Sequence, residues 1–479
     1  MTDLATLDAT AQAELVRSGD ATPLELVDAA IERIDNLNDE LNAVIHPLYE
    51  RARTNAPNAP DGPFRGVPIV VKDLDGELAG TPYHKGNKAL RDAKHVSTTS
   101  SFIFEKLERA GFVIVGKTNT PEFGLMPSTE PLAYGPSHNP WNTDHSPGGS
   151  SGGTGSAVAS GMVPLGHAGD GGGSIRIPSS MCGLFGLKPS RGRISLGPAE
   201  AESWAGLVNR HVITRSVRDN AAVLDVLQGY MTGDFYTAPP PARAYASEVG
   251  AAPGKLRIGV RKNAPASLAV VDDECIAAVE DAAALLASLG HSVEEASPTA
   301  LDDASSLGSF TAIMLADVRL EVDEVASILG RAVTSDDFEP MTWAYYEGAG
   351  AVDAGAYVTA LKDAHSWTRR VVSWWLDDGF DVLLTPTLAE PPPVLGDVGD
   401  QSDGGQRAGA RGLPFAVFTA PFNITGQPAL SVPLYYAASG LPIGVQLAAA
   451  PYREDLLIRL AAQLEAERPW ADRVPPVHA

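Results

Sequence analysis

Cysteine is nearly missing from this chain of 479 residues: Cys182 and Cys275 are the two, far apart and in no ligand-like spacing. No disulfide framework can be built from them, and a reducing compartment suits them. There is no C-x-x-C and no H-E-x-x-H, so no zinc site is supported, and no metal is expected. Positive charge is also short. The formal charge is −23, which repels phosphate backbones and anionic lipid, so no nucleic-acid partner and no membrane surface is expected. No apolar run approaches the roughly 18 residues of a membrane span. The N-terminal "MTDLATLDATAQAEL" has neither a basic nor an apolar leader region, so the expected location is the cytoplasm. Apolar residues still make up 44% of the chain, enough for a large core.

The hydrophobic pattern alternates between strand and helix signals. Residues 8–17 and 23–36 have helical periodicity, and Thr22-Pro23 is a helix start. "GVPIVVKD" (66–73), "FVIVGKTN" (112–119), "MVPLGHAG" (162–169), "KLRIGV" (255–260), "HSVEEA" (291–296) and "FDVLLTPT" (380–387) are short buried strands. Helices are expected over 97–111, 152–161 and near 272–289, and "QPALSVPLYY" with "LPIGVQLAAA" forms a terminal strand pair. The 396–412 stretch, "GDVGDQSDGGQRAGARG", is expected to be a long polar loop. These elements predict an α/β protein with a large, mostly buried sheet, and the length allows two or three ordinary domains or one large one.

"GDGGGSIRIP" (169–178) raises the functional question. A phosphate cradle is opposed by Asp170, and no Gly-Lys-Ser/Thr follows. "GGSSGG" (148–153) matches G-x-S-x-G, but no strand precedes it, so the nucleophile elbow is unsupported. What remains is Ser174 behind three glycines whose N–H groups can all point one way, as an oxyanion hole requires. Ser174 is then a nucleophile in need of a base. Lys72, in the apolar run "VPIVV", is the candidate if burial strips its charge; the other reading is a strand-end lysine reaching water. Asp73 would oppose a neutral lysine, but neighbours on a strand point to opposite faces.

These pieces resemble the amidase signature family. The resemblance rests on "SPGGSSGGTGSAVASGMVPLGHAGDGGGSIRIPSSMCGLFGLKPSRGRIS" (146–195), "GVPIVVKD", "DVLLTPT", "TAPFNITGQPALSVP" and "LPIGVQLAAA", and covers nearly the whole chain. It implies a catalytic trio of Lys72, Ser150 and Ser174, with a cis peptide before Ser150 that sets this serine between nucleophile and lysine. It implies an oxyanion hole of the Gly171, Gly172 and Gly173 N–H groups, joined by that of Ser174. The fold it implies is α/β, a single large domain over 1–479 with a mixed central β-sheet covered by helices on both faces: an N-terminal helical segment (1–65), the signature core (66–220), a variable substrate-side region (221–400) and the C-terminal core strands and helix (401–479). The segment 123–131 resembles the lining of the acyl pocket, which makes Leu125 and Met126 substrate-binding candidates, although ordinary core positions explain them equally. Ser151 either hydrogen-bonds near the site or caps the helix after it. Arg176 is expected to pair with a buried carboxylate or carbonyl, and Asp170 to anchor the loop. The family usually has threonine before that aspartate and a branched residue after it; Gly169 and Gly171 stand there instead.

The implied activity is hydrolysis of C–N bonds in linear or small cyclic amides through an acyl-enzyme, nylon-type oligomers or carbamates included, with no metal and no organic cofactor. A glutamine-using amidotransferase subunit and a broad esterase or aryl acylamidase are the alternatives. The implied partner is a small-molecule amide substrate, and a homodimer is compatible with the sequence.

Overall fold

A computed structural model describes residues 4–265 and 267–479, and its scaffold is one mixed sheet of eleven strands. The strands are β1 (Val44–Pro47), β2 (Pro68–Lys72), β3 (Val113–Thr118), β4 (Leu165–Asp170), β5 (Phe185–Lys188), β6 (Asn209–Thr214), β7 (Arg257–Val260), β8 (Ser292–Glu295), β9 (Val382–Pro386), β10 (Ala429–Tyr436) and β11 (Pro442–Ala449). They lie in the order β1-β3-β2-β4-β6-β5-β10-β11-β9-β7-β8. Every expected strand is present. The chain is an α/β protein whose large mixed sheet is flanked by helices.

Strand β2 is buried at all five residues, as a parallel strand covered on both faces must be. Its alternate residues enter different cores. Ile69 and Val71 pack under the helices Phe102–Arg109, Val217–Leu227 and Glu454–Glu467. Val70 packs on the other face, against Ala157 and Val158 of the helix Gly152–Ala159 and against the helix Pro23–Leu41. That last helix starts where its capping box sits: Thr22 Oγ1 accepts from Glu25 N–H, and the Glu25 carboxylate accepts from Thr22 N–H at 2.7 Å.

β2 runs parallel to both β3 and β4, so the carboxyl ends of all three strands, at Lys72, Thr118 and Asp170, fall on one edge of the sheet. In α/β sheets that edge is where ligands bind. The helix Gly152–Ala159 reaches the sheet closely because its first turns carry no bulk. A methyl at Gly153 would stand 2.6 Å from Asn119 N and 2.7 Å from Ala43 O, both fixed backbone atoms.

The glycine loop that follows β4 is clamped by a buried ion pair. The helix Arg176–Cys182 begins two residues after Ser174, and Arg176 is wholly buried. Its Nε and Nη2 donate to the two oxygens of Asp170 at 3.0 and 2.9 Å. The remaining donors reach Asn423 Oδ1, Thr419 O and Gln446 Oε1 at 2.7–2.9 Å. Asp170 also accepts from Ile175 N–H, so the carboxylate grips the loop from both ends. Burial alone would push the Asp170 carboxyl up, but the Arg176 guanidinium outweighs it and holds the group below the usual carboxylate range. The expected anchoring roles of Arg176 and Asp170 match this geometry.

The 396–412 stretch differs from expectation. From Gln406 to Ala416 it is a helix, with Pro414 inside it. Ala408 and Phe415 bury against Met126, Met341 and Val398. The glycines weaken helix propensity, and tertiary burial of one face overrides them.

Two outcomes follow for stability. Gly153→Ala forces backbone apart and should cost about 1–3 kcal/mol, read as a melting temperature lowered by about 1–3 °C in a chain of this length; an unchanged melting temperature would contradict the close approach. Arg176→Ala strands a buried carboxylate and should cost about 3–5 kcal/mol in urea unfolding at neutral pH; a loss below about 1 kcal/mol would show that the clamp is not needed.

Candidate active site

At the carboxyl edge of β2 and β4 lies a cavity of about 140 Å³. Ser150, Ser174, Gly171 and Gly172 line it, together with Leu125 and Met126. Lys72 does not line it. Its side chain lies beneath, fully buried, and its Nζ donates to Ser150 Oγ at 2.8 Å and to Asp75 Oδ2 at 2.6 Å. The peptide Gly149–Ser150 is cis, as the sequence resemblance implies. The Lys72 amine therefore meets the cavity through the Ser150 hydroxyl.

Strand geometry separates the two aspartates near this lysine. Asp73 turns away, as alternation requires, and its carboxylate pairs with Lys117 Nζ at 2.7 Å on the other side. Asp75 comes back. Its φ of 64° puts it in the left-handed region that aspartate tolerates better than most residues, and Gly76 follows. Burial pushes the Lys72 amine below the ordinary lysine value, and the Asp75 carboxylate opposes that shift. Burial would by itself raise the Asp75 carboxyl, yet Lys72 beside it keeps it below its usual range.

The loop after β4 presents four consecutive amides, Gly171 to Ser174, and among the described residues none of their N–H groups donates to another protein group. Buried backbone donors are rarely left so, and a row of them beside a hydroxyl suits a developing oxyanion. Gly173 has φ 143°, and a side chain there would overlap Thr419 and Ile177. Thr419 Oγ1 holds the Gly172 carbonyl at 2.6 Å, turning that peptide's oxygen away from the cavity side. Gly171 has Val208 at 3.2 Å and Trp204 at 3.4 Å from the position of a Cβ, so a branched residue would find its space already filled.

Ser151 is wholly buried and does not line the cavity. Its hydroxyl donates to Gly169 O at 3.3 Å, bracing β4, and makes no capping bond to the helix after it. Of the two readings, the hydrogen bond near the site holds and the helix cap does not.

Sequence reasoning missed Asp75, Lys85 and Arg210. Lys85 and Arg210 both line the cavity. Lys85 pairs with Glu321 at 2.8 Å and Glu324 at 2.9 Å, and Arg210 pairs with Glu200. Glu321 and Glu324 come from the helix Ser305–Leu329, more than 230 residues on, so no local pattern announces these pairs. Asp75 had a signal: Asp-Gly is a turn, and a turn three residues after Lys72 can bring the carboxylate back to it.

A second polar cluster lies nearby. His46, Asp73 and His84 bring potential ligand atoms within 4.8 Å of one another. The Lys117 ammonium already supplies positive charge to Asp73 there, and Tyr134 hydrogen-bonds His84 Nδ1 at 2.5 Å. The group is an ion-pair and hydrogen-bond network that ties β1 to the loop after β2.

Residues 25–458 match the amidase family model. The 6-aminohexanoate-cyclic-dimer hydrolase of Paenarthrobacter ureafaciens is 42% identical over 98% of this chain and 96% of its own length. An acylamidase of Rhodococcus erythropolis is 34% identical over 98% of this chain and 97% of its own. Among solved structures, 6-aminohexanoate cyclic dimer hydrolase superposes with a TM-score of 0.95 over 100% of both chains, and a bacterial aryl acylamidase, 26% identical, with a TM-score of 0.88 over 97% of this chain and 98% of its own. The chain belongs to the amidase family, enzymes that act on amide C–N bonds.

Proposed function

We propose that the protein cleaves C–N bonds of linear or small cyclic amides through an acyl-enzyme on Ser174, with Ser150 and Lys72 moving the proton. The observation that carries this is the Lys72–Ser150 hydrogen bond at 2.8 Å, which connects a buried amine to the cavity where Ser174 stands beside four uncommitted amides.

Ser174 Oγ attacks the carbonyl carbon, giving its proton to Ser150 as Ser150 gives its own to neutral Lys72. The carbonyl oxygen becomes an oxyanion held by the N–H groups of Gly171, Gly172, Gly173 and Ser174. The C–N bond breaks as Lys72 returns the proton through Ser150 to the leaving nitrogen. The amine departs, and Ser174 is left esterified. Water then attacks the ester carbonyl, the same relay accepts and returns a proton, and the carboxylic acid is released. A relay serine is needed because the lysine itself lies behind the cavity wall.

The lining favours an aliphatic or aryl acyl group: Leu125, Met126, Phe123, Trp204, Phe310 and Met314 supply apolar surface. Lys85 and Arg210 are each bound to carboxylates, so neither is free to receive a substrate carboxylate. This disfavours a glutamine-using site. The relatives that act on 6-aminohexanoate cyclic dimer support a small amide without free charge, and oligomers of that kind lead the substrates to test.

A panel of cyclic and linear aminohexanoate oligomers, aliphatic amides, anilides and carbamates should show turnover by the wild type and none by Ser174→Ala. Lys72→Ala should slow turnover about 10²–10⁴-fold. Full activity in either variant would end the assignment. The pH profile carries a sign as well. Activity requires the neutral amine, so kcat/KM rises with pH through the Lys72 pKa and levels off below the ordinary lysine value, about 10.4. A rate still climbing through pH 10 would contradict a buried, depressed lysine.

A further inference from the structure

Gly169 is a glycine for a reason that lies in space rather than conformation. It sits inside β4 opposite Arg210 of β6, with no left-handed φ to demand glycine. A Cβ built at Gly169 would overlap the Asp75 carboxylate. The carboxylate thus occupies the volume that a side chain at 169 would take, and from there it holds Lys72 Nζ at 2.6 Å. The chain enters this arrangement through a turn with Asp75 at φ 64°.

We propose that Asp75 is a positioning residue for the Lys72 amine, holding it on the Ser150 hydroxyl, and that Gly169 is the complementary vacancy that admits the carboxylate. The proposal rests on the reading of Lys72 as the base. An ammonium or amine at the end of a four-carbon stem has many rotamers, and ordering it costs conformational entropy. Two partners at 2.6 and 2.8 Å fix its direction, one of them the proton relay.

Other charges bear on the same amine. Asp170 at the end of β4 favours the ammonium as Asp75 does; Arg210 on β6 disfavours it. His167 on β4 is buried and pushed down to about 3, so it is neutral at working pH and adds no charge. Asp75 is the carboxylate among them in direct contact. Its removal should therefore make Lys72 easier to deprotonate, by one to three pH units for a lost opposite charge at this range.

The test uses the whole enzyme and a fluorophosphonate probe, which phosphonylates an activated serine with loss of fluoride and needs no knowledge of the substrate. The labelling rate of Ser174 is followed from pH 5 to 10 in wild type, Asp75→Asn, Gly169→Ala, Asp75→Gly and the Asp75→Gly/Gly169→Ala pair. Asp75→Asn should move the acid limb of the normalised profile down by about one pH unit or more. Gly169→Ala, which evicts the carboxylate, should move it the same way and slow labelling at neutral pH about tenfold or more. In the Asp75→Gly background the added methyl meets no carboxylate, so Gly169→Ala should change the rate less than about twofold. An acid limb that stays at the wild-type pH in both single variants would overturn the proposal, as would equal effects of Gly169→Ala with and without Asp75. Should Asp75→Asn fail to fold, the comparison of Gly169→Ala in the two backgrounds decides alone. A wild type that does not label at all would take down the serine-hydrolase reading and this proposal together, whereas labelling with an unmoved profile takes down only the role of Asp75.

Discussion

Everything in this site depends on how a lysine is accommodated where water cannot reach it. Lys72, Lys117 and Lys188 are all fully buried, and the fold treats each differently. Burial pushes Lys117 below the ordinary lysine range, and the Asp73 carboxylate at 2.7 Å opposes that shift. Lys188 donates to the neighbouring Pro189 carbonyl at 2.9 Å, and burial pushes it well below the ordinary lysine range, with Arg176 adding to the effect. Lys72 resembles Lys117 in its electrostatics and differs in its neighbour Ser150. Burial favours its neutral form, one carboxylate opposes that, and a hydroxyl links it to the cavity. A fully desolvated lysine would be a poor proton donor to a leaving amine, and a fully ion-paired one a poor base. A balance of the two suits the proposed role of taking and returning a proton.

The surrounding glycines solve separate packing problems. Gly149 lets the cis turn lie against Met126 O and Ser128 N, each 2.6 Å from where its Cβ would be. Gly153 lets a helix settle on backbone, and Gly173 keeps Thr419 and Ile177 close behind the loop. Gly171 and Gly172 face the cavity side, where Trp204, Val208 and Phe310 are nearest. The Asp170–Arg176 clamp then fixes the loop without using the amides of Gly171 to Ser174, so those four donors stay uncommitted.

Much of this was legible in the sequence. Strands such as "PIVVK" and "VLLTP" are continuous β-branched or apolar runs, and burial on both faces makes such runs unmistakable. Lys72, Ser150 and Ser174 were marked by the resemblance of their motifs to the amidase signature family, and the structure joins Lys72 to Ser150 and sets both serines on one cavity. What escaped was whatever depends on distant chain. Lys85 gains its meaning from Glu321 and Glu324, and the helix over 406–416 from a hydrophobic cluster that includes Met126 and Met341. Asp75 escaped for another reason: alternation along a strand correctly dismissed Asp73, but the rule ends where the strand ends, and the turn beyond it reversed the direction.

The central claim is the protonation state of one amine. Carbon-13 labelling of the lysine side chains, with Lys72→Met to identify the signal, allows the Lys72 Cε resonance to be followed against pH by NMR. The account predicts a titration midpoint clearly below the ordinary lysine value of about 10.4, with a substantial neutral fraction at the pH where the enzyme works. A Lys72 signal that remains that of an ammonium up to pH 10 would contradict it.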